Sequence, residues 1–171
     1  MAPPRLVTSL LVPYCLQLRP GSSPVLAELA IARAMSRSSE IPLMVCEDPA
    51  GVTHSGPPAG LTLRELAPES ARLHNTVAAA GFGFPEELVA RLITPDVLRL
   101  PGVRCYVGDV DGQAVTTGLG VTLGDFVGVF NIATRPAYRR SGYGAAMTAR
   151  VVADGLAASR GARSSMLPME I

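Results

Sequence analysis

Lysine and tryptophan are both absent from this chain of 171 residues. Without lysine there can be no G-x-x-x-x-G-K-[ST] phosphate loop, which removes the commonest nucleotide-binding signature. All basic residues are arginine and nearly balance the acidic ones, leaving a formal charge of +1 and no field to attract nucleic acid. With so much Ala, Gly and Pro beside it, the arginine-only usage reads as a high-GC codon bias. Aromatics are few: four Phe and four Tyr are too small a set for the stacking platforms of a base-binding groove. Cysteine is equally sparse. Cys15, Cys46 and Cys105 are odd in number and far apart, fitting neither a disulfide framework nor a metal knuckle. His54 and His74 add no ligand pattern, so no metal is expected and a reduced, cytoplasmic setting is. No uninterrupted apolar run reaches the roughly 18 to 20 residues of a spanning helix, so no membrane role is expected. The apolar stretch after Arg5 is broken by Pro13 and closed by Gln17 and Arg19 with no small-x-small cleavage site, unlike a secretory signal.

Hydrophobic residues make up 48% of the chain, ample for one core with room for a short extension. Val25, Leu26, Leu29, Ala30, Arg33 and Ala34 give a helical pattern over 24–37, capped by Ser22 or Ser23, and an apolar strand is expected at 42–46. Residues 47–60, dense in Gly and Pro, read as a linker, so residues 1–60 form an N-terminal extension or small lobe and 61–171 the main domain. There, 61–66 alternates as a strand, and Pro68-Glu69-Ser70 opens a helix with Leu73, Val77 and Ala80 on one face. The run Gly81 to Phe84 breaks that helix, and Pro85-Glu86-Glu87 starts another with Leu88, Leu92 and Ile93 inward. Strands at 103–110 and 114–123 are joined by Asp111-Gly112, a strong hairpin signal. A strand at 126–134, a helix at 142–158 and a short strand at 164–167 complete an α/β (α+β) order. On the long helix Met147, Val151, Val152 and Leu156 share an apolar arc, while Arg150 and Asp154 point the other way.

The most informative stretch joins the last two of these elements: FVGVFNIAT, then R-P-A-Y-R-R-S-G-Y-G-A, then the helix. A Gly-rich loop between a strand and a helix lets unpaired amides and the helix dipole converge on a phosphate. A Gly-x-Gly is also what a plain tight turn requires, and on that reading the chain is a structural α/β protein. The surroundings go further. Arg139-x-x-Gly142-x-Gly144, preceded by Thr134-Arg135-Pro136-Ala137-Tyr138, closely resembles the acyl-CoA loop of the GNAT N-acetyltransferase superfamily, and the resemblance extends less distinctly back to about Leu61.

The resemblance implies a central mixed sheet flanked by helices, acetyl-CoA as co-substrate, and a small-molecule or peptide amine as acceptor. It implies cofactor-binding roles for Ile132, Ala133 and Thr134 at the strand end, where pantetheine amides pair with the backbone. It implies the same for Arg139, Arg140, Ser141, Gly142, Tyr143, Gly144 and Ala145, whose amides face the pyrophosphate, with Arg135, Arg139 or Arg140 adding charge. The catalytic expectation falls on the backbone N–H near Ile132, which would stabilise the oxyanion, and on Asn131, which could order a proton-relaying water.

The general base and acid are not evident. Alternation puts Asp125, Val127, Val129, Asn131 and Ala133 on one strand face, so the only carboxylate there lies at its far start, where a turn role suits it. Glu86 and Glu87 fall in the region that lines the acceptor site in the family, although the helix dipole explains first-turn acids equally well. No tyrosine follows Tyr143, and the family's closing C-terminal strands are missing before Ile171. The expectation is therefore an acyl-CoA-dependent N-acetyltransferase, with a degenerate acyl-CoA-binding or assembly module as the alternative, and a homodimer to cover the strand edge near 164–167.

Overall fold

The computed structural model describes residues 16, 18, 21, 23–36, 44–47, 49–52 and 56–165, with side chains as far as Ser159. Two units divide the chain, Met1–Cys46 and Glu47–Ile171. In the first, helix α1 spans Pro24–Ala32, with Pro24 in its first turn and Ser23 at the N-cap position. Ser23 makes no capping hydrogen bond, and Ser22 lies outside the described residues. The helix is shorter than the pattern to residue 37 suggested: Ala34 takes φ +59° just beyond it, and a left-handed residue cannot continue a right-handed helix. Residues 44–46 form no strand, and 42 and 43 lie outside the described residues.

The second unit is built on a meander. Strands β1 (Thr62–Glu65), β2 (Val103–Val110), β3 (Gln113–Leu123) and β4 (Phe126–Thr134) pair in sequence order, each antiparallel to the next. The β2–β3 turn has both central residues at positive φ, Asp111 at +49° and Gly112 at +74°, which matches the twist of the flanking strands. Between β1 and β2 lie α2 (Ala71–Phe82), α3 (Glu86–Leu92) and the single turn α4 (Pro95–Leu98); after β4 comes α5 (Tyr143–Ser165).

Alternation along β2 divides the core between the two sheet faces. Cys105 and Val107 join Leu66, Ala71, Ile93, Leu98 and Leu119 under α2 to α4. Tyr106 faces the other way, onto Met147 and Val151 of α5. Both central strands are thus covered on both sides, and each fully buried large side chain contributes roughly 1.5 to 3 kcal/mol.

Several expected faces are corrected. On α2 the buried positions are Ala71, His74, Asn75, Val77, Ala78 and Ala79, while Ala80 is exposed. On α3 Val89 is buried and Leu92 is exposed, although Ile93 is buried as expected. Arg150 does not simply point outward: its guanidinium bonds Asp154 at 2.8 Å and lies 5.7 Å from the centre of the Tyr106 ring. The long arginine stem snorkels across the sheet while its charge stays half in water. Ser164 and Ser165 belong to α5 rather than to a strand, and 166 and 167 lie outside the described residues. The sheet among the described residues is consequently antiparallel throughout, since a parallel member would have to follow α5.

Candidate functional site

The end of β4 and the start of α5 are joined by residues 135–142, with a single 3-10 turn at Pro136–Tyr138. Register fixes what happens before the join. Thr117 pairs with Ala133, but Leu119 pairs with Phe130, so β4 holds one residue more than β3 between these rungs. The extra residue is accommodated at Asn131, whose φ is +52°. Asparagine tolerates this left-handed conformation better than most residues, and such a bulge re-aims the backbone beyond it.

The bulge overturns the expected alternation. Val127 abuts Gly155 and Val129 packs with Met147 and Val151, so both face α5. Beyond Asn131, Ile132 also faces α5, and Ala133 turns to the opposite face against Ala78, Ala79 and Val89. Ala133 therefore does not share a face with Val127 and Val129.

Three contacts hold the loop against this strand end. Arg139 donates from Nη2 to the carbonyl of Gly81 at 2.6 Å and from Nε to that of Thr134 at 3.3 Å, tying α2, β4 and the loop together. Its charge is spent on this tether. A Cβ on Gly81 would stand 2.8 Å from that of Ala133, so α2 ends in direct backbone contact with β4. A Cβ on Gly144 would stand 3.6 Å from Thr134 Oγ1 and 3.9 Å from Ile132 Cγ2, placing the first turn of α5 beside the bulge.

Within the loop, Arg140 and Gly142 take φ of +61° and +77°. Among the described residues no backbone N–H from Arg140 to Ala145 donates to a backbone carbonyl; the first amide to do so is that of Ala146, to Gly142 at 3.0 Å. Successive unpaired amides at a helix start form an anion-binding concavity. Arg140, Ser141 and Ala145 are exposed there, and Tyr143 packs inward beside Leu61, Val115 and Ala146. The Nε of Arg135 is buried without a partner, leaving this guanidinium and that of Arg140 as the loop's uncommitted cations among the described residues. A groove of about 450 Å³ adjoins the loop, lined by Val52, Pro58, Gly142, Ala145 and Ala149 among others, and no β4 residue borders it.

The structure thus sets the end of β4, Asn131 to Thr134, beside residues 139–145. It brings neither Glu86 nor Glu87 to the bulge by any hydrogen bond; Glu86 faces Arg72 at 3.7 Å. What the sequence reading missed is the polar pair under α2. His74 is wholly buried and its Nδ1 lies 2.6 Å from Thr117 Oγ1, which itself donates to the Tyr106 carbonyl at 2.7 Å. With the hydroxyl proton so committed, Nδ1–H must be the donor, and Nε2 carries the lone pair. Burial pushes the His74 pKa down to about 4. The spacing Ala71, His74, Ala78 was the signal, since it marks one helix face. Burial also raises the Cys105 thiol to about 12, which leaves it unreactive. The Tyr106 hydroxyl is raised as well, by burial first and by the Asp154 carboxylate second. Among the described residues no group of His, Cys, Asp and Glu could hold a metal ion, and no helix is long and apolar enough to cross a membrane.

Solved structures decide the architecture. A protein from Pyrococcus horikoshii assigned to the acetyltransferases superposes with a TM-score of 0.52 at 18% identity, over 60% of this chain and 37% of that one. A GCN5-related N-acetyltransferase from Kribbella flavida gives 0.50 at 22% identity, over 65% and 41%. The fold is that of the GNAT acetyltransferases. The match spans less than half of each of these two chains. No protein-family model and no curated protein matches the sequence.

Proposed function

We propose that this protein is an N-acetyltransferase, carried by residues 61–171, that moves an acetyl group from acetyl-CoA to an amine. The observation that supports it best is the meeting of the Asn131 bulge with the turn at Gly142 and Gly144. The loop of unpaired amides adjoins this strand end at Gly144, where a Cβ would stand 3.6 Å from Thr134 Oγ1 and 3.9 Å from Ile132 Cγ2. A thioester held by its pantetheine arm along β4 would place its carbonyl near the Ile132 N–H, with Asn131, Ala133 and Thr134 supplying backbone partners. Arg140 to Ala145 would hold the pyrophosphate, while Arg139 acts through its tether to Gly81 and Thr134.

In the reaction the amine lone pair attacks the thioester carbon, the C–N bond forms and the C–S bond breaks. The proton lost by the amine balances the one gained by the departing thiolate, and water ordered at Asn131 carries the first of these. An amide donor aimed at the developing oxyanion contributes on the order of 3 kcal/mol. Calorimetric binding of acetyl-CoA, together with thiol release over a panel of amines, tests the reading; absence of both overturns it.

A second reading, an acyl-CoA-binding module without turnover, draws on the lack of any β4 carboxylate at the bulge, since Asp125 precedes the strand at its other end. Tight CoA binding with no thiol release toward any amine is its signature.

A further inference from the structure

Arg139 belongs to the loop of unpaired amides, yet its side chain reaches out of that loop to the end of another helix. Its Nη2 donates to the Gly81 carbonyl at 2.6 Å and its Nε to that of Thr134 at 3.3 Å. Gly81 is the penultimate residue of α2, and the donor that would continue the helix to its carbonyl is residue 85, a proline without an N–H. The Arg139 guanidinium takes the place of that missing donor, a cation at the negative end of the helix dipole. The chain then leaves α2 through Gly83 at φ +72°, with the amides of Gly83 and Phe84 both returning to the Ala79 carbonyl at 2.9 and 3.0 Å.

The strand side of this contact is pinned as firmly. The Ala133 carbonyl accepts from Thr116 Oγ1 at 2.9 Å, and Thr134 Oγ1 lies 3.1 Å from the same hydroxyl. A Cβ on Gly81 would stand 2.8 Å from that of Ala133 and 3.2 Å from the Thr134 nitrogen. One glycine and one arginine thus hold the ends of α2 and β4 at backbone contact.

That contact bears on the chemistry. A thioester lying along β4 as a further strand has its carbonyl near the sheet plane, so an amine reaches the carbonyl carbon from one sheet face or the other. On the α5 face the first helical turn, at Gly144, already stands beside Ile132 and Thr134. The opposite face is bounded by the end of α2 over Ala133. We propose that Arg139 is a positioning residue for the attacking step: it fixes the end of α2 against β4 on the face from which the amine arrives, and contributes little to holding the cofactor. The inference rests on the acetyl-transfer reading and assigns a loop arginine to the acceptor side.

The test uses the full chain, with acetyl-CoA affinity from calorimetry and kcat from thiol release with the best acceptor of the amine panel. Arg139→Ala should keep the acetyl-CoA Kd within about threefold and lower kcat by about tenfold or more, since a displacement of about 1 Å at a reacting centre can cost that and more. Arg139→Lys keeps the charge but loses the rigid fork, and should recover only part of the rate. Gly81→Ala alters no charge and favours the helix by propensity, yet its Cβ meets Ala133, so it should show the same split between rate and affinity. In the free protein the amides of Gly83 and Phe84 should exchange with solvent about fivefold faster or more in Arg139→Ala, a readout that needs no turnover. An acetyl-CoA affinity that falls about tenfold or more in Arg139→Ala with kcat kept assigns the charge to the pyrophosphate and overturns the inference while acetyl transfer stands. A full rate in Arg139→Lys or Gly81→Ala, or unchanged exchange, overturns it equally. Wild-type binding of acetyl-CoA without thiol release overturns it in favour of a binding module, and failure to bind acetyl-CoA at all removes the acetyl-transfer reading and this inference with it.

Discussion

Lowering the pH should destabilise this fold through His74 before most carboxylates titrate. The imidazole is buried under α2, its Nδ1–H is used by Thr117, and its pKa falls from an ordinary 6.5 to about 4 because burial disfavours the charged ring. The folded value lies below the unfolded one, so the unfolded chain takes up the proton first as pH drops. The stabilisation is fully present above the unfolded pKa and is lost as pH falls from 6.5 toward 4. At about 1.36 kcal/mol per unit, the full loss is about 3 kcal/mol, and about 2.5 kcal/mol of it has gone by about pH 4.5. The assay is urea unfolding monitored by circular dichroism at about pH 7.5 and about pH 4.5, for the wild type and for His74→Gln. Glutamine removes the titration, so the variant should begin less stable and show a pH slope smaller by about 2.5 kcal/mol over that interval. Carboxylates such as Glu69, held low by a backbone hydrogen bond and by Arg99, titrate in both proteins and cancel in the difference. Equal slopes in the two proteins would falsify the assignment of a neutral, Nδ1-protonated His74.

Gly142→Val is expected to abolish acetyl-CoA binding with little change in far-ultraviolet dichroism, because φ of +77° is unfavourable for a β-branched residue and the side chain would block the loop amides. Gly144→Ala should fold normally, its new Cβ meeting Thr134 and Ile132 at ordinary contact distances, while Gly144→Val should lose binding; wild-type affinity in Gly144→Val counts against the proposed site. Arg150→Ala should cost about 1 kcal/mol by chemical unfolding, combining an i,i+4 ion pair with a cation–π contact. A double-mutant cycle with Asp154→Asn that shows no coupling would contradict that division. Met147→Ala, at a wholly buried position between Tyr106 and Val151, should cost about 2 to 5 kcal/mol in the same assay.

The elements of the second unit were legible because each depends on neighbours close in sequence. Asp111-Gly112 marked the β2–β3 hairpin from the chemistry of one turn, and the apolar run FVGVFNIAT ahead of Arg135-Pro136 marked β4 to its last residue. Arg139-x-x-Gly142-x-Gly144 announced a loop of exposed amides for the same local reason, since only the first turn of a helix leaves its N–H groups without partners. The faces were less legible. A strict period of two put Ala133 with Val127, and only the pairing of β4 against β3 revealed the extra residue at Asn131 that turns Ala133 to the opposite face. The burial of His74 and the diversion of Arg139 to Gly81 rest on contacts 43 and 58 residues apart in the chain, beyond the reach of any periodicity. Arg150 and Asp154 read only as the polar side of the helix; their pairing, with Tyr106 of β2 near the guanidinium, came with the tertiary structure. Local backbone preference decided which segments became strands, helices and the amide loop; the side-chain partnerships that set charge, tautomer and surface were decided only when the sheet and its two helical layers closed on one another.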